Sequence, residues 1–126
     1  MEAALRYELE KIPELKDKIY PTNAPKAESA PYLVYMTRKN RGKTLEGNQN
    51  SRICHVMLNI LAGSYEEMNV ITRKVENLIE KFPLKTIGEE GLYIEDLTFD
   101  ESTEMYEDQL KLQRGVIPFT VYYKEE

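Results

Sequence analysis

The sequence predicts an α+β fold: a mostly antiparallel four-stranded sheet made of two hairpins, a long helix packed across one face, and a short N-terminal helix. Three observations carry that expectation. The first is Arg52 to Ala62, an apolar, β-branched run whose alternation puts Cys54, Val56, Leu58, Ile60 and Ala62 on one face. The second is the helix that follows Gly63-Ser64, with Met68, Ile71, Val75, Leu78 and Phe82 in one apolar stripe and Ile79 alongside. The third is a pair of strand-like runs at the C-terminus, Leu92 to Asp100 and Lys111 to Lys124. A sheet with one helix laid on it is the simplest way to bury both stripes.

The elements follow in order. Glu2 to Lys11 reads as a short amphipathic helix with Ala4, Leu5, Leu9 and Ile12 on one side, closed by Pro13. Leu15 to Tyr20 is a short extended segment, and Thr22 to Pro31 an irregular connection too short to separate two cores. Tyr32 to Arg38 is a strand by propensity. Lys39 to Ser51 is then a long polar hairpin loop, expected to order only on assembly because it has little apolar area to bury. In the organising strand, Ile53, His55, Met57, Asn59 and Leu61 take the second face. Ser64-Tyr65-Glu66-Glu67 reads as a capping box, and Pro83 ends the helix at Phe82. In the third strand Leu92, Ile94 and Asp96 share one face, and Tyr93, Glu95, Leu97 and Phe99 the other. In the last, Ile117, Phe119, Val121 and Tyr123 oppose Val116, Pro118, Thr120 and Tyr122. Pro118 cannot donate to a ladder, so it belongs at an edge, a bulge or a gap.

Length and composition fit a single domain over residues 1–126. No apolar run approaches the roughly 20 residues that span a bilayer, and the acidic N-terminus has no signal-peptide core, so no membrane partner is expected. The single cysteine excludes an intrachain disulfide. A net charge of −5 argues against general nucleic-acid binding. The nine tyrosines, against three phenylalanines and no tryptophan, suit sheet faces and interfaces, where one end of the ring stays wet.

Chemistry is sparse. Cys54 and His55 are adjacent in a strand and point to opposite faces, so they cannot share a metal ion, and Cys54 lacks a base. Gly42 and Gly47 open no helix and form no phosphate loop. Catalytic residues, cofactor and metal are all expected to be absent. Charge is segregated instead. Glu89 to Asp108 holds nine acids and no base, whereas Arg38 to Arg52 holds five bases and one acid. Either run can be an ordinary solvated surface. The sharper expectation is that one meets the other on a neighbouring copy. The interaction candidates are Arg38, Lys39, Arg41, Lys43, Glu46 and Arg52 on the basic side, and Glu101 and Glu104 on the acidic side.

Three segments resemble the bacteriophage tail terminator (tail completion, or tail-to-head joining) family: Ile19-Tyr20-Pro21-Thr22-Asn23-Ala24-Pro25 with Ala30-Pro31-Tyr32-Leu33-Val34-Tyr35, the stretch from Leu45-Glu46-Gly47 to Ser64-Tyr65-Glu66-Glu67, and Pro118-Phe119-Thr120-Val121-Tyr122-Tyr123. The resemblance implies a structural phage or prophage protein without an active site, acting as a ring, typically a hexamer, at the tail–neck junction of the virion after assembly in the host cytoplasm. Its implied partners are its own copies, the major tail tube protein and a neck or head-completion protein. A neck adaptor or stopper on the portal side is the alternative, and a nucleic-acid-binding factor working through the basic loop is a weaker one.

Overall fold

The computed structural model describes residues 1–22, 29–41, 51–89, 91–107 and 111–124. The core of the fold is a pair of long neighbouring strands, β3 (Ser51–Ala62) and β7 (Leu112–Lys124), held antiparallel over their full lengths. β2 (Tyr32–Arg41) pairs antiparallel with the other side of β3. A short β1 (Ile19–Pro21) adds to β2 in parallel. On the far side of β7 lie β5 (Leu92–Phe99) and β6 (Thr103–Glu107), and β4 (Lys85–Ile87) pairs with the start of β5. The sheet order is β1-β2-β3-β7-β5-β4, with β6 beside β7.

This corrects the expected four-stranded antiparallel sheet with a long helix. Among the described residues the sheet has seven strands, is mixed and curls into a half-barrel, and the helices are short, with α1 covering Glu2–Leu9 and α2 Tyr65–Glu80. Ile19–Pro21 lies at the end of the expected short extended segment Leu15–Tyr20, whereas β4 and β6, with three and five residues, are too short to show a period of two. The expected first hairpin, β2 to β3, is present. The expected second hairpin is interrupted, because β6 stands between β5 and β7 in the chain. The cause is Pro118. Its carbonyl accepts from the Asp100 amide at 2.9 Å, so its nitrogen faces the same side and has no hydrogen to offer. The partner strand breaks there, between Phe99 and Thr103. Proline is thus accommodated inside a central strand, and the gap falls in the strand beside it.

Both helices lie on one face of the sheet. Leu5 and Leu9 of α1, and Ile71, Val75 and Ile79 of α2, share one core with Leu33, Val56, Leu58, Ile60, Ile94, Ile117, Phe119 and Val121. Each fully buried aliphatic side chain contributes about 1.5–3 kcal/mol. Gly115 lets α2 approach closely, since a Cβ there would sit 2.7 Å from the Met68 sulfur. The Ser64 hydroxyl accepts from the Glu67 amide at 3.2 Å, as a cap should, while the Glu67 carboxylate reaches back one residue further than expected, to the Gly63 amide. A bulge between Ile94 and Asp96 resets the alternation of β5. Leu97 therefore packs with Ile94 against the core, and the two are not on opposite faces as the plain alternation predicts.

Candidate interaction surface

The second face of the sheet carries no helix among the described residues. Its cluster consists of Tyr32, Val34 and Leu61, with Tyr20, Ala30 and Leu112 packed beside them. Cross-strand register lays out its rows. Met36, Met57 and Pro118 form one row, and Val34, Asn59, Val116 and Thr103 the next. Tyr32, Leu61, Arg114 and Met105 form a third. Met36, Met57 and Met105 are 42%, 40% and 48% exposed, so unbranched, adaptable apolar side chains stand in solvent on this face. Polar groups are set among them. Asn59 is buried and accepts from an Arg114 Nη1 at 3.1 Å, and the His55 Nδ1 lies 3.0 Å from the Thr120 hydroxyl. Alternation in the sequence assigns the β3 and β7 members of this face; its β2 and β6 members, and its continuity, follow from register.

The charged candidates do not gather at one point. Arg38 is exposed and lies on this open face, in register with His55. Lys39, one residue on, turns to the helix side, where its ammonium lies 2.5 Å from the Glu2 carboxylate of α1. That hydrogen bond holds the Glu2 carboxyl below the usual range and raises the Lys39 amine. Lys39 is thus engaged within its own chain. Arg41 ends β2 opposite Arg52, and Arg52 in turn stands opposite Tyr123. Lys43 and Glu46, with the rest of 42–50, lie outside the described residues. Glu101 and Glu104 are exposed across the sheet from β2, in the gap after β5 and on β6. Strand alternation therefore divides the basic run between two faces and places the acids at the opposite edge.

Cys54 is fully buried, and burial pushes its thiol pKa up, which suits a core residue. No cluster of three His, Cys, Asp or Glu residues placed to hold a metal occurs among the described residues. A cleft of about 580 Å³ opens between α1 and the start of β5, lined by Ala3, Ala4, Tyr7 and Leu92. Its Arg6 and Glu10 are engaged with each other at 3.4 Å.

Neither a family model nor a curated protein matches the sequence. Solved structures match its fold. One is a chain in "Virion of native gene transfer agent (GTA) particle", with a TM-score of 0.65 and 10% identity over 99% of this chain and 95% of that one. The fold recurs in a virion. At that identity the likeness fixes the fold from end to end and leaves the surfaces to be argued on their own chemistry.

Proposed function

We propose that this chain is a structural protein of a phage-type virion that caps the tail tube as a ring of its own copies, ends tube polymerisation and offers the surface on which the head docks. The observation that carries the reading is the agreement of fold over nearly the whole of both chains with a component of a gene transfer agent virion. The tail terminator resemblance of the Tyr20-Pro21, Pro31-Tyr32 and Pro118-Phe119 segments points the same way. The physical design fits a role carried by outer surfaces. A sheet closed on one side by two helices is rigid, and its other side presents methionines and tyrosines of the kind enriched at protein interfaces. On this reading the ring is hexameric, its partners are the tube protein and a neck protein, and it performs no catalysis. The test is negative-stain electron microscopy of purified tail tubes incubated with the protein. The reading expects added density at one tube end and a halt in further growth. Tubes that bind nothing and keep growing would reject it.

A further inference from the structure

Among the described residues the sheet has two stretches of edge at the same height that no strand covers. β1 covers β2 only at Leu33–Tyr35, and β4 covers β5 only at Leu92–Ile94. Among the described residues no strand pairs with the outer side of Met36–Arg41 or of Asp96–Phe99. Register runs straight across the sheet between the two stretches. Arg38 is level with His55, Thr120 and Thr98, and Thr37 is level with Val56, Phe119 and Phe99. Strand sense also matches, because β2 and β7 both run against β3 whereas β5 runs against β7. A second copy in the same orientation therefore presents its β2 antiparallel to this β5, with helices on the same side.

We infer that the contact between copies is strand addition, the Met36–Arg41 edge of one chain continuing the ladder from the Asp96–Phe99 edge of the next. This deepens the ring reading above by naming the surface that joins its copies. At the unstaggered register Arg38 falls opposite Thr98, and its diagonal neighbours two residues either way are Asp96 and Asp100, within reach of a long side chain; the Asp96 Oδ1, which accepts from the Leu97 amide at 2.8 Å in the single chain, gives that amide up to the incoming strand. All three are exposed. Charges on free edges also serve simply to prevent sheet aggregation. Here the signs are opposite on the two edges. Like edges repel, and only the unlike pairing is favourable, which selects a head-to-tail, repeating contact.

Two measurements test it. The first mixes a Thr37→Cys variant with a Phe99→Cys variant under oxidation. Paired residues in an antiparallel ladder have Cα atoms about 4.5–5.5 Å apart, within disulfide range, and Cys54 is buried and does not compete. The expected product is a disulfide-linked heterodimer, and Thr37→Cys mixed with Tyr65→Cys on α2 should give none. The second is sedimentation of charge variants. Arg38→Asp alone, and Asp96→Arg/Asp100→Arg alone, should each lose self-association, while their equimolar mixture regains it. Cross-linking no better than the Tyr65 control, or a mixture that is not rescued, overturns the inference. A capped tube end without the edge disulfide would remove this contact and leave the capping role standing.

Discussion

Gly88 and Gly91 flank the turn from β4 to β5 and have nearly the same backbone, with φ of 79° and 78°. An alanine at either position must adopt the left-handed conformation, which costs roughly 1–2 kcal/mol. Their surroundings differ. A Cβ at Gly88 would lie 2.6 Å from the Ala4 Cβ and 2.8 Å from the Ala4 Cα, whereas nothing lies within 4 Å of one at Gly91. The Cα belongs to helix backbone and cannot rotate away, so overpacking adds about 1–3 kcal/mol at Gly88 alone. Gly91→Ala should then cost about 1–2 kcal/mol and Gly88→Ala about 2–5. The loss of unfolded-chain freedom is common to both and cancels in the difference. Urea unfolding followed by far-ultraviolet circular dichroism, or by the fluorescence of the nine tyrosines, measures both values. In the Gly88→Ala background, Ala4→Gly should recover part of the loss. Equal costs at the two glycines would refute the close approach of α1 to this turn.

Other predictions follow from the same geometry. Cys54 should resist thiol reagents in the folded protein and react on denaturation, and Cys54→Ser should cost about 1–3 kcal/mol by burying a hydroxyl. Glu2→Gln should remove the pair with Lys39 and cost no more than about 1 kcal/mol at neutral pH, since the pair is half exposed. Because the folded Glu2 carboxyl is held low, that contribution is present above the ordinary glutamate range and disappears as pH falls through the lowered folded value. Stability curves of wild type and variant should therefore converge in acid, and a constant gap down to pH 2 would contradict the assignment. Leu84 has a φ of 61° and is 72% exposed, so Leu84→Asn should raise the urea midpoint, stabilising by about 0.5–1 kcal/mol.

Where the chain has a long period, the sequence was readable. The core face of β3, the apolar stripe of α2 and the division of β7 into two faces all follow from alternation and the helical repeat. Local chemistry also gave the Ser64 cap. Three things were hidden. A strand of three residues carries no periodicity, so Lys85–Ile87 becomes a strand only through the neighbour it pairs with. The bulge at Glu95 inverts the facing of Leu97 and cannot be foreseen from composition. Charges that are adjacent in sequence read as one patch, but Arg38 and Lys39 lie on opposite faces, and Glu2 of α1 takes the lysine. Register, not local sequence, decides which residues make a surface.

The proposed capping of the tail tube would set tail length. Electron microscopy of particles from a phage or prophage lacking this chain, compared with those carrying it, tests that most directly. Tails of variable and excessive length with no attached heads are the expected result. Tails of normal length joined to heads would contradict the account.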